Sequence, residues 1–281
     1  MFFFNDDAED KTEKLKETIA IKNLGFDPLS ISISCKDFSE TYSENYSLMA
    51  NKHTANFLFI DQCGISQVTK PIFSSIIKLK QTDLLFFISS SYLTTRFPHL
   101  SAMTKYLDIG KEKEYFTSHR DSHRAVWDHF KKLIPSNMIY YVAPFSLQKG
   151  PNIYGLIFGS GNRLGYEKFL KVCWEVDEFN GEANFNIDDD FVPQNGQLSI
   201  FNDIGKSKRL RDFEDELKDR ILDGSLKSNR DITKFAFRRR FLPTKHAKPV
   251  VVELQEQGKI KKGRIGYSSQ SNYKEIEILQ S

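Results

Sequence analysis

From Phe2 to Ser89 the sequence alternates short apolar runs with stretches of helical spacing, and acidic residues stand at the ends of the runs. Phe2–Phe4 leads into Asn5-Asp6-Asp7. A helical stretch from Ala8 to Leu24 puts Leu15 and Ile19 on one face, and Gly25 can cap it. Ser30 to Cys35 alternates with period two and ends at Lys36-Asp37-Phe38. Asn56-Phe57-Leu58-Phe59-Ile60-Asp61 is continuously apolar until its last residue, the pattern of a strand covered on both faces. Gln62-Cys63-Gly64 breaks it. A helix over Thr69–Lys80 follows, with Phe73, Ile76 and Ile77 on its apolar side, and then a strand over Asp83–Ser89. This alternation predicts βαβ units with a parallel sheet. Ligands of such sheets bind beyond the carboxyl ends of the strands, where Asp7, Asp37 and Asp61 would stand.

Further along, residues 92–135 are polar and helix-like and carry His99, His119, His123 and His129. Residues 137–142 and 153–159 read as two strands joined by the connection PFSLQKGPN, an antiparallel hairpin closing the sheet. Gly165–Val176 reads as a helix with Phe169, Val172 and Cys173 facing inward. The Asp-, Asn-, Gly- and Pro-rich residues 177–205 read as a linker or lid.

The C-terminal residues follow different rules. Arg209–Leu222 is amphipathic through Leu210, Phe213, Leu217 and Ile221, and Gly224 stops it. Asp231 can cap a second helix to Arg239, and Thr244 a third to about Glu256 with Val250, Val251 and Leu254 as its core face. Residues 259–267 and 273–279 suggest a hairpin. Three helices and a hairpin make a winged helix. The reading is an α/β chain with a Rossmann-like region at 1–180, a linker or lid at 181–205 and a winged helix at 206–281.

Charge divides the same way. Residues 1–205 balance at −5 and residues 206–281 at +8. Such asymmetry suits contact with a polyanion, and an ordinary solvated surface is the alternative. Cations at Arg238, Arg239, Arg240, Lys245, Lys248, Lys261, Lys262 and Arg264 suit phosphate contacts. Cys35, Cys63 and Cys173 form no paired framework, so neither disulfide nor structural zinc is expected, and a reducing cytoplasmic setting is. No apolar stretch is long enough to span a bilayer.

In a sheet that binds a nucleotide or S-adenosylmethionine, an acid after the second strand holds the ribose. One after the third reaches the adenine, and one after the fourth faces the substrate. Asp6 or Asp7, Asp37 with Phe38, and Asp61 fit that order. The plainer alternative is that Asp is common where strands turn. No glycine-rich loop precedes them, and Gly159-Ser160-Gly161-Asn162 reads as a strand-to-helix turn. His119 and His123, four apart, read as part of a solvated helix. Cys63 reads as a small buried residue.

The motifs NDD, KDF, FIDQCG and TTRF, followed by IYGLIFGSGNRLGYEKFLKVCWEVD, resemble in order the three-Cys-motif partner family, TcmP, over about residues 1–180. The tail resembles the winged helix that ends such proteins. The resemblance implies a class I methyltransferase-like fold and partnership with a three-cysteine, radical-enzyme-like protein. Against the family pattern the first strand and its glycine loop are missing. Asp61-Gln62-Cys63-Gly64 replaces an Asp-Pro-Phe-Gly-like motif. The expected function is therefore a degenerate or split methyltransferase-like domain coupled to a DNA- or RNA-binding winged helix. The alternatives are an active S-adenosylmethionine-dependent methyltransferase completed by a missing strand or partner chain, and a non-catalytic partner of other proteins.

Overall fold

A computed structural model of the chain describes residues 1–22, 30–61, 66–89, 122–188, 206–267 and 271–279. It is a mixed α/β fold with two compact units. One comprises Met1–Asn56 with Leu79–Gln81, the other Phe57–Lys78 with Thr82–Ser281.

In the first unit, β1 (Phe2–Asp6) pairs in parallel with β2 (Ile31–Cys35), from Phe2 opposite Ile31 to Asp6 opposite Cys35. Parallel neighbours need a crossover, and α1 (Glu9–Lys22) supplies its helix. After β2 the chain enters α2 (Phe38–Met49). Asn5 ties the two strand ends together: its amide donates to the Lys36 carbonyl, and its Oδ1 accepts from Ser34 and Thr41.

The sheet of the second unit has the order β3 (Asn56–Ile60), β4 (Thr82–Ser89), β6 (Asn152–Ser160), β5 (Tyr141–Lys149). β6 runs antiparallel to both its neighbours, as the expected hairpin requires. The hairpin is longer than the sequence suggests. PFSLQK belongs to β5, and the turn is confined to Gly150-Pro151. Pro144 has the look of a loop residue, but β5 ends the sheet order, where a strand can lack one donor. β3 departs from expectation too. Phe57 and Phe59 are 62% and 53% exposed, so one of its faces is open.

α3 (Lys70–Ile76) buries Phe73 and Ile76, as expected, with Ile77 buried just beyond it. α4 (Ser122–Lys132) is not a solvated helix: Val126, His129 and Phe130 recur on one face with His123 and are buried. His119 lies outside the described residues. On α5 (Arg163–Val176) the buried residues are Tyr166, Leu170, Cys173 and Trp174, spaced three and four apart. Val172 falls off that stripe and is exposed. The Gly159–Asn162 turn is as expected, with Asn162 capping α5 through the Leu164 N–H.

Residues 177–188 are packed rather than a linker. The Asp177 carboxylate accepts from the backbone N–H groups of Phe179, Asn180, Glu182 and Ala183. Gly181, at φ +62, lies where a Cβ would meet the Trp174 ring. The remainder of the expected lid, 189–205, lies outside the described residues.

The C-terminal helices are α6 (Lys208–Leu222), α7 (Asn229–Arg238) and a π-helical turn, Pro243–Ala247, running into α8 (Lys248–Glu256). Ser228, not Asp231, caps α7 by accepting from the Asp231 N–H, and its hydroxyl donates to the Asp231 carboxylate. Thr244 does not cap the third helix. Instead His246 Nδ1 accepts from the Leu242 N–H, and the His246 N–H donates to the Leu242 carbonyl. The end of the chain returns as an extended segment: Ile260 bridges Ile278 and Ser228 bridges Glu275, both antiparallel.

One hydrophobic cluster joins Ala143 and Phe158 of the sheet and Tyr166, Leu170 and Trp174 of α5 to Phe213, Leu217, Phe237, Val251 and Leu254 of the C-terminal helices. The compact division thus falls at Asn56/Phe57, and the sheet and the C-terminal helices share a core.

Candidate functional site

The strand-end acids have unequal freedom. Asp6 is half-buried, accepts from the Ala8 N–H at the start of α1 and lies 3.5 Å from Lys11. Asp37 is the N-cap of α2. It accepts from the hydroxyl and the N–H of Ser39, and these bonds hold its carboxyl below the ordinary carboxylate range. Phe38 makes a ring contact with Tyr42 at 6.0 Å. Asp7 is exposed and has no side-chain hydrogen bond or ion pair among the described residues, so it is the carboxylate there most open to a ligand. Asp61 is exposed at the end of β3 and belongs to the second unit. Cys63 lies outside the described residues.

In the second unit, charge is concentrated in a buried clamp. Glu182 is 1% exposed and receives Arg240 Nη1 at 2.7 Å and Arg124 Nε and Nη2, each at 2.9 Å. Arg124 also pairs with Asp188 at 2.8 Å. Arg209 lies over the Phe241 ring and donates to the carbonyls of Asn180 and Arg239. The guanidinium groups around Glu182 outweigh its desolvation and hold its carboxyl well below the usual range. No local motif distinguishes Glu182, Arg124 or Arg209, because the partners in these bonds lie 29 to 64 residues apart in the chain.

The expected polyanion contacts divide by their surroundings. Arg240, at φ +63, is turned inward onto Glu182 and over the Trp127 ring at 4.6 Å, so it is a structural cation. Arg239 pairs with Glu216 at 2.6 Å and Lys261 with Glu277 at 2.8 Å, and both cations are exposed. Lys245 stands 5.5 Å over the Trp174 ring. Arg238, Lys248, Lys262 and Arg264 are exposed and carry no ion pair among the described residues. Lys248 and Arg264 line a groove of 350 Å³ between α8 and residues 263–267, with Thr244, Val251, Val252, Gln255, Tyr267 and Ser271. No three His, Cys, Asp or Glu among the described residues come together to hold a metal, and no described helix is long and apolar enough to cross a membrane.

The groove's helix rests on a histidine held neutral. His246 is 5% exposed and 4.2 Å from the Trp174 ring, and burial pushes its pKa down to about 3. The unfolded chain takes up this proton near pH 6.5 and the folded chain does not. The contribution is therefore complete above about pH 6.5 and is lost as pH falls towards 3, with a slope approaching about 1.4 kcal/mol per pH unit. Urea denaturation between pH 7 and 4 should show that slope, and His246→Asn, which keeps an acceptor for the Leu242 N–H, should flatten it.

No protein-family model matches the sequence, and a search of curated proteins finds no match.

Proposed function

We propose that the chain is a nucleic-acid-binding protein in which a degenerate or split, methyltransferase-like α/β region carries a winged helix. The observation behind this reading is the group of cations without ion pairs among the described residues, Lys248, Lys262 and Arg264, on and beside the third C-terminal helix. The element order supports the winged helix: α6, an extended stretch at Lys227-Ser228, α7, α8, and two further short extended segments. Ile276 N–H bonds to the Lys227 carbonyl and Lys261 N–H to the Glu277 carbonyl, so the extended pieces pair side by side. The shared core holds this module on the sheet, so binding to nucleic acid would also fix the position of the α/β region of the second unit.

Phosphate contacts release counterions, which makes affinity fall steeply with salt. Anisotropy titrations with a labelled duplex over a range of potassium chloride should give such a slope. Changing Lys248, Lys262 and Arg264 to Ala should lower its magnitude by about 1 for each phosphate that is no longer neutralised. A slope unaltered by all three would remove the assignment, whereas Arg240→Ala should act through stability instead.

A second reading, an S-adenosylmethionine-dependent methyltransferase, is favoured by the strand pairing. In the doubly wound order 3-2-1-4-5-6, a set lacking strand 1 pairs 3 with 2 and separately 4 with 5. The observed pairings, β2 with β1 and β3 with β4, are of that kind. Exposed Asp7 would then meet the ribose. Calorimetry with S-adenosylmethionine, on the chain and on Asp7→Ala, tests it: heat abolished by the substitution supports this reading.

A further inference from the structure

The cations on and beside α8 are not the whole basic surface of the second unit. On α7, Arg230, Lys234 and Arg238 recur every four residues, are exposed and carry no ion pair among the described residues. That spacing puts them on one face of the helix, about 6 Å apart along its axis. Buried Ile232, Phe235, Ala236 and Phe237 fix the helix beneath them. Two other elements bring cations to the same helix. Arg163, at the start of α5, lies 5.5 Å over the Phe237 ring and donates to the Tyr267 carbonyl. Lys131, near the end of α4, lies 4.8 Å over the Trp127 ring, and Arg240, just beyond α7, lies 4.6 Å over the same ring. Arg163 and Lys131 also carry no ion pair among the described residues. Asp231 and Asp128, the acids of α7 and α4, are engaged by Ser228 and Lys132.

Like charges gathered from three elements repel one another in the free chain. Both ends of the row feel it. Desolvation first, and then Arg230, lowers the Arg163 pKa. Partial desolvation first, and then the guanidinium groups of Arg240, Arg239 and Arg238 against the pull of Asp128, lowers that of Lys131. A linear polyanion lying along the row relieves this repulsion at every position, whereas a small anion meets only one or two of the cations. We infer that Arg163, Arg230, Lys234, Arg238 and Lys131 form a track for the phosphate backbone of a nucleic acid, carrying its contact from the winged helix onto α4 of the α/β region. The track rests on the nucleic-acid reading and extends it, because none of the five residues lines the α8 groove. Evenly spaced cations suit evenly spaced phosphates, and the arginine forks can bond phosphate oxygens in pairs. Continuity favours nucleic acid over an acidic protein: Arg163 is bonded to Tyr267, a residue of the groove.

The test uses the full chain and salt titrations with a labelled duplex. Changing Arg230, Lys234 and Arg238 together to Ala should lower the magnitude of the slope by about 3, about 0.9 for each phosphate. Lys131→Ala, on a helix outside the winged helix, should lower it by about 1. Lys132→Ala, whose amine is already paired with Asp128, should leave it unchanged. All these positions are exposed and Ala favours helix, so melting temperatures should hold and separate lost contact from lost fold. A slope unaltered by the α7 substitutions, while those at Lys248, Lys262 and Arg264 lower it, would overturn the track and leave nucleic-acid binding at α8 intact. A fall with the α7 substitutions but none with Lys131→Ala would overturn the extension onto α4. Absent or salt-insensitive binding by the unaltered chain would overturn both the track and the nucleic-acid reading. Labelled polyglutamate supplies the last arm: if it binds as tightly as the duplex and the α7 substitutions weaken it alone, the row serves an acidic protein and the track is overturned.

Discussion

Glu182→Gln is expected to destabilise the second unit by about 3–5 kcal/mol, the cost typical of removing one partner from a buried ion pair. The carboxylate is almost wholly buried and is the direct partner of Arg240 and Arg124. Gln keeps the volume and one acceptor but removes the charge, leaving Arg240 nearly buried with no other ion pair among the described residues. Arg124 keeps Asp188. Asp188→Asn is the control: that end of the cluster is more exposed, and its loss should cost no more than about 1 kcal/mol. Chemical denaturation at neutral pH measures both. Acid supplies an independent check. The Glu182 carboxyl titrates lower in the folded chain than in the unfolded one. Its contribution is therefore present above the ordinary Glu range, about 4.3, and is lost as pH falls below it towards the depressed folded value. The Gln variant should lack this part of the acid dependence while keeping the His246 slope at higher pH. An equal acid profile in the two proteins would mean that the carboxylate is not charged in the folded state.

Much of the element order is legible in the spacing of apolar residues, most plainly in α6 and α8, which bury regular stripes. β2, β3, α1, α6 and the Val250–Val251–Leu254 face of α8 lie where the spacing puts them. What each polar side chain is used for is far less legible. Asp37 opens a D-x-x-E sequence with Glu40, a helix-start signature, and it is a cap. The same residue also fits the series of acids at strand ends, and position along the chain does not separate the two uses. His123 and His129 look polar by composition, yet burial depends on which face of α4 meets the sheet. The Arg238-Arg239-Arg240 run looks uniform. The helix ends at Arg238, and the turn to positive φ at Arg240 points that side chain inward, so three adjacent cations have three surroundings. The groove is legible only in part. Lys248 and Arg264 stand out by charge, but Gln255 takes its place by bonding the carbonyls of Lys261 and Gly263, contacts that close only when residues 263–267 stand along α8.

The second large effect is expected at Trp174, where α5 meets the C-terminal helices. Its ring is 1% exposed, lies 5.3 Å from Phe241 and 4.2 Å from His246, and its Nε1–H donates to the Arg240 carbonyl at 3.1 Å. Gly181 approaches so closely that a Cβ there would sit 2.5 Å from the ring. Trp174→Ala empties a site enclosed by three parts of the chain that are each fixed elsewhere: α5 by its own buried stripe, the 177–183 turn by Asp177, and the His246 turn by Leu242. Such a site cannot collapse fully, so the cost should be about 3–5 kcal/mol, a fall in melting temperature on the order of 10 °C. Trp174→Phe, which fills most of the space but loses the bond to Arg240, should cost less. The sheet and the C-terminal helices share one core, so the loss should appear as a single shifted transition in the fluorescence of Trp127, the chain's other tryptophan, which lies in the second unit. Unchanged melting of Trp127 would mean that the C-terminal helices hold a core of their own, and that nucleic acid bound there would not constrain the sheet.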